Sequence, residues 1–131
     1  MVVVHVVVDL MVGGVGSVVK SLLLEQSKSG VKTALVVKSS ILETEIWLKA
    51  NNIDCVVFEV ENYRKKHLTI WGLLSKAAKK KIDNKFKGEC IVFHYHNPIS
   101  IGLFSNIYKN SICTLHGNIV TNSIISKYIF V

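Results

Sequence analysis

Val2-Val3-Val4-His5-Val6-Val7-Val8-Asp9-Leu10-Met11-Val12-Gly13-Gly14-Val15-Gly16 decides the fold. Val2–Val8 is a nearly unbroken β-branched run, and such a run suits a strand buried on both faces of a parallel sheet. The period then changes. Val15, Val18, Val19, Leu22 and Leu23 follow the stripe of an amphipathic helix. Gly30 stands where that helix should stop. Strand, glycine turn and helix together are the opening of a Rossmann-like unit.

Working outward, the alternation continues. Thr33–Val37 reads as a second strand. Ser40 with Glu43 makes a capping box, so a helix should run from there through Trp47 to Ala50. Ile53–Phe58 is a third strand. His67 to Lys85 reads as a longer helix with Trp71, Leu74, Ala78 and Ile82 on one face. Cys90–His94 is a fourth strand, Pro98–Ile107 a short helix and Ser111–Leu115 a fifth strand. Alternating strands and helices predict an α/β fold, with right-handed crossovers, helices on both faces and strand order 3-2-1-4-5. Residues 118–131 carry no helix stripe, so the unit reads as incomplete at its C-terminus.

The 131 residues are half apolar with one proline, which bounds the chain to a single domain with a real core. The apolar start lacks a preceding basic residue and is broken by His5 and Asp9, so it does not read as a signal peptide. No run is long enough to span a membrane. Cys55, Cys90 and Cys113 lack ligand or C-x-x-C spacing and read as small buried side chains in a reducing compartment. A cytoplasmic location is expected.

The net charge of +7 is local. Arg64, Lys65, Lys66, Lys76, Lys79, Lys80, Lys81, Lys85 and Lys87 crowd into residues 63–87, with Asp83 the one acid among them. Solvated cations on an outer helix face are the default explanation. Contact with an anionic membrane surface, through Lys79, Lys80 and Lys81 and aided by Trp71 and Phe86, is the second. A nucleic-acid partner is not expected, because aromatic interleaving and a binding motif are missing.

Three clusters should meet beyond the carboxyl ends of the strands, where the strand order reverses. These are Asp9 to Gly16, then His94, His96 and Asn97, then His116 and Gly117. Glycines at Gly13, Gly14 and Gly16 allow a tight turn and close backbone approach, and the helix start behind them favours an anion. The blander reading is that they only make the turn. A P-loop is excluded, since G-K-[ST] is absent. Gly14-x-Gly16-x-x-Val19 lacks the third glycine of the dinucleotide fingerprint, and Lys38-Ser39 stand where an acidic ribose partner belongs. An NADP-binding protein using Lys38 stays open as an alternative.

His94 and His96 share one strand face. With His116 they could make a three-histidine metal site. The reading taken instead is one histidine hydrogen-bonded beneath the sheet and the others lining a pocket, with no metal expected. His116, at a strand end before a glycine, is the candidate for proton handling or charge stabilisation, a task suited to histidine near neutral pH.

Taken together, Val3–Gly14, the helix closed by Gly30, Ile91-Val92-Phe93-His94-Tyr95-His96-Asn97-Pro98 and Thr114-Leu115-His116-Gly117 resemble the N-terminal domain of the group-one (family four) retaining glycosyltransferases of GT-B architecture. The resemblance covers residues 1–117. It implies an acceptor-side domain facing a second domain that holds a nucleotide-sugar donor, and transfer with retention, without a metal or other cofactor. Gly13 and Gly14 match the family's loop beside the donor diphosphate. His116 matches its histidine near the transferred sugar. His96 and Asn97 are carried over as substrate-binding residues. Sugar acceptors of this kind are polysaccharides or lipid-linked glycans of the cell envelope, and basic N-terminal faces in this family rest on membranes.

The family's donor domain, with its paired glutamates, has no counterpart in these 131 residues. The chain is therefore expected to be inactive alone, being a truncation, a frameshift product or one half of a split enzyme with a separately encoded C-terminal half. A non-catalytic remnant or membrane-docking subunit is the further alternative.

Overall fold

The apolar runs do form strands, and every one lies parallel to its neighbours. The computed structural model describes residues 1–59, 79–96, 111–114 and 116. Strands β1 (Val2–Val6), β2 (Lys32–Val37), β3 (Cys55–Glu59), β4 (Ile91–Tyr95) and β5 (Ser111–Cys113) make one sheet in the order β3-β2-β1-β4-β5. This is the expected α/β, Rossmann-like order, with its reversal between β1 and β4. Helix α1 (Gly13–Lys28) links β1 to β2, and α2 (Ile41–Ala50) links β2 to β3.

Alternation within each strand sorts the side chains into two layers. On one face, Val2, Val4 and Val6 join Ala34, Val36, Phe58, Phe93 and Tyr95 beneath Ile82 and Phe86. Ile82 belongs to the helical residues 79–85, so that segment covers this face. On the other face, Val7, Leu35 and Val37 pack beneath Val19 and Leu23 of α1 and Leu48 of α2. His5 occupies the same parity as Val7 and registers with Leu35 on one side and His94 on the other.

Helix α1 stops as the glycine requires. Gly30 has φ +72, the Gly30 N–H donates to Ser27 O (3.1 Å), and the Val31 N–H donates to Gln26 O (2.9 Å). That pair is a Schellman motif, and it fixes the last turn on which Gln26 rides.

Several local expectations change. Ser40 does precede α2, but it makes no capping bond and sits at φ 56. Its hydroxyl donates to the Asp9 carboxylate at 2.8 Å, a charge-assisted bond that outcompetes a neutral backbone cap. Val18 is 42 % exposed, so the buried stripe of α1 narrows to Gly16, Val19 and Leu23. Cys90 and Cys113 are exposed rather than buried, and only Cys55 is partly covered. Cys90 precedes β4, and Cys113 lies on β5 at the sheet's border. Phe86 is in the core, 3 % exposed, and is spent on packing rather than on a membrane interface. The front of the His67–Lys85 helix, the Pro98–Ile107 helix and residues 118–131 lie outside the described residues. Among the described residues, no helix is long and apolar enough to cross a membrane.

Candidate functional site

The switch between β1 and β4 holds two adjoining features, a glycine turn and a chain of imidazoles. The turn begins where β1 ends. Asp9 anchors it: its carboxylate accepts the Met11 N–H at 2.9 Å and the hydroxyls of Ser39 (3.1 Å) and Ser40 (2.8 Å). Burial opposes the charge on Asp9. The bonds from Met11, Ser40 and Ser39, with the Lys20 charge, outweigh it and hold the carboxyl below its ordinary range. The β1 turn is thereby tied to the loop that follows β2.

Three glycines in this turn do different things. Gly13 turns the chain at φ +72, a conformation that a side chain resists. Gly14 has open space where a Cβ would be. A Cβ on Gly16 would run into the Leu10 carbonyl, so that glycine lets α1 pack against the turn. The start of α1 carries neither a side-chain cap nor an acidic residue in its first turn. Its leading N–H groups and positive dipole end therefore remain suited to an anion.

The imidazoles run beside it. His5 is fully buried and His96 is 2 % exposed, while His94 and His116 are half-buried. Parity and parallel register put His5, His94, His96, Thr114 and His116 on one face. His5 Nε2 lies 2.7 Å from Gln26 Oε1, His5 Nδ1 lies 3.0 Å from His96 Nε2, and His96 Nδ1 lies 3.1 Å from His116 Nε2. His94 Nε2 shares a hydrogen bond of 2.7 Å with the Thr114 hydroxyl.

With Gln26 Oε1 as acceptor, the tautomers follow one from another. The His5 Nε2–H donates to Gln26, so His5 Nδ1 accepts the His96 Nε2–H. His96 Nδ1 then accepts the His116 Nε2–H. His5 and His96 are both neutral in this arrangement. Burial is the main cause: it pushes His5 down to about 4, against the pull of the Gln26 bond, with His94 adding repulsion. It pushes His96 down to about 3, helped by His94, His5 and His116. His94 is lowered too, by burial and then by His116. The rings also lie close together, with His94 and His96 centroids 4.0 Å apart and their planes tilted by 35°. One nitrogen from each of His5, His94 and His96 lies within 4.8 Å of the others.

Of the residues singled out from the sequence, His96 and His116 are brought into direct contact, and Gly13 and Gly14 sit in the turn after β1. Asn97 and Gly117 lie outside the described residues. Lys80 and Lys81 are exposed, and Lys79 pairs with Asp83 at 2.6 Å along the same helix. The exposure of Lys80 and Lys81 is that of solvated cations. Three participants escaped the sequence reading: His5, Gln26 and Thr114. His5 alone left a signal, as a polar residue in an apolar run predicted to be buried on both sides. A groove beside α2 and β3, lined by Leu42, Ile46, Asp54 and Val57, contains none of the histidines or turn glycines.

The class defined by this architecture is the Rossmann-like α/β fold. Comparison with protein-family models, curated proteins and solved structures found no match to this chain.

Proposed function

We propose that this chain is the N-terminal, acceptor-side half of a retaining glycosyltransferase of GT-B architecture. It would act with a donor-binding half on a polysaccharide or lipid-linked acceptor. The observation that carries the reading is the juxtaposition at the sheet's switch point. An open glycine turn and uncapped helix start lie after β1, while His96 and His116 follow the neighbouring β4 and β5. The resemblance of the Gly13-Gly14 and Leu115-His116-Gly117 segments points the same way.

In this reading the backbone at Gly13 and Gly14 approaches the donor diphosphate, and the α1 start stabilises its charge. His116 faces the transferred sugar and is oriented by its bond to His96. Transfer needs donor and acceptor held together, so the chain alone should bind weakly and turn nothing over. The exposed Lys80 and Lys81 would rest on an anionic membrane at the cytoplasmic side.

Amide NMR of the full chain with a panel of nucleotide-sugars tests the reading, with NADPH as the comparison. Shifts at Gly13, Gly14 and His116 with one nucleotide-sugar and none with NADPH are expected. Shifts with NADPH alone would replace this reading with a nicotinamide-dependent one. Sugar transfer by the isolated chain would overturn its status as a half enzyme.

A further inference from the structure

We propose that His5, His94 and His96 form a binding site for a divalent late first-row transition ion, with zinc the best fit. This goes beyond the sugar-transfer reading and stands without it.

Burying two imidazoles, with a third half-buried beside them, sacrifices much of their hydration. The opposite face of the same strands shows that this fold fills such positions with Val, Phe and Tyr. A nitrogen-only ligand set is what zinc, copper, nickel and ferrous iron accept.

The hydrogen bonds around the trio have the pattern of metal ligands. A metal-bound histidine holds its other ring nitrogen on a carbonyl, carboxylate or similar partner. Here Gln26 Oε1 holds His5 Nε2, the Thr114 hydroxyl holds His94 Nε2, and His116 Nε2 holds His96 Nδ1. Each ring therefore has one anchored nitrogen. The nitrogens left for an ion are His5 Nδ1, His94 Nδ1 and His96 Nε2.

Distances agree. Tetrahedral zinc at 2.0–2.1 Å from nitrogen sets its ligand atoms about 3.3 Å apart. His5 Nδ1 and His96 Nε2 stand at 3.0 Å and need to part by only tenths of an ångström. One ring nitrogen from each of His5, His94 and His96 lies within 4.8 Å of the others. His94, half-buried at the rim, is the ring that turns inward to close that gap. Three protein ligands leave a fourth position for water or another ligand.

Protons balance without net loss. The ion takes the place of the hydrogen shared by His5 and His96. The His96 proton moves from Nε2 to Nδ1 and is donated to His116 Nε2, whose own proton shifts to Nδ1. His5 already carries its proton on the anchored nitrogen, and His94 binds the ion as the tautomer whose Nε2–H donates to the Thr114 hydroxyl, which can accept it as readily as donate. The three ligand rings are neutral with the ion bound, as metal ligands must be.

The test is titration of the full chain with Co(II), then displacement by Zn(II). Expected are visible d–d bands saturating at one ion per chain and abolished by excess zinc. His96→Ala should weaken binding at least 100-fold. Gln26→Leu, which removes only an anchoring partner, should weaken it about 10-fold. Because these variants could unfold, imidazole 15N NMR of the unaltered chain with Zn(II) supplies a second readout. It should show the His96 proton moving to Nδ1 and metal-induced shifts at His5, His94 and His96. Absence of saturable binding, a thiolate-to-cobalt charge-transfer band placing the ion on a cysteine, or an unmoved His96 proton would each overturn the site.

Discussion

The two faces of this sheet are built from the same five strands by opposite means. Beneath residues 79–86, the buried positions are Val, Ala, Phe and Tyr, packed as one apolar cluster. On the other face, the β2 and β3 side is apolar under α1 and α2, but the β1, β4 and β5 side is a line of histidines. Packing gains its energy in proportion to area and needs no partner in any particular direction. The imidazole line gains little by area and depends on each nitrogen meeting its partner. One face is therefore robust and carries stability. The other is conditional and carries the chemistry.

That contrast can be broken or sharpened in four ways. The largest effect belongs to the apolar face: Phe93→Ala should lower stability by about 3–5 kcal/mol in urea unfolding. A loss below 1 kcal/mol would mean that this face is loosely filled.

Acid should act on the histidine face. His5 stays neutral in the folded chain down to about pH 4 and His96 down to about 3, whereas both protonate near 6.5 when unfolded. The unfolded chain thus binds more protons, and stability is full above pH 6.5 and lost as pH falls toward the folded values. For His5 alone the loss reaches about 3 kcal/mol by pH 4. Urea midpoints between pH 7 and 5, taken with a chelator present, isolate the histidines from the carboxylates. A flat profile there would contradict the buried neutral rings.

Gln26→Ala should cost about 1–3 kcal/mol, because it strands the buried His5 Nε2–H. The Gln26 bond raises the folded value of His5, so without it the acid loss should still begin near pH 6.5 but continue to lower pH, an extension that a purely steric defect would not cause. The smallest effect lies on the outer side of the helix over the apolar face. Lys80→Gln with Lys81→Gln should leave stability within about 0.5 kcal/mol. Flotation with anionic vesicles would fall in that double variant if the lysines meet a membrane, and would not change if they are merely solvated.

Much of the architecture was legible in the residues. The β-branched runs, the stripe with Val19 and Leu23 at its centre, and Gly30 at its end are local patterns, and local patterns survive without tertiary information. Strand order followed from chain handedness. The Ser40 capping box failed for a nonlocal reason, since Asp9 reaches the hydroxyl from 31 residues away. Cys113 failed likewise, because an apolar run does not announce that its strand lies at a sheet's border, and Cys90 is exposed because it stands just before β4 and not within it.

The candidate site was legible only in part. The glycine turn and His116 stand out by position, the one after β1 and the other after β5. The Gly16 contact with the Leu10 carbonyl, the Gln26 anchor and the role of His5 do not show in any window of sequence. The sequence by itself determined which segments are strands and helices, their order, and where the chain turns on glycine. Tertiary structure decided that His5 registers with His94 and bonds to His96, 91 residues away. The reason is physical. Periodicity is written into neighbouring residues, whereas parallel register is set by the whole sheet, and a slip of one residue would turn every histidine of a strand to the opposite face.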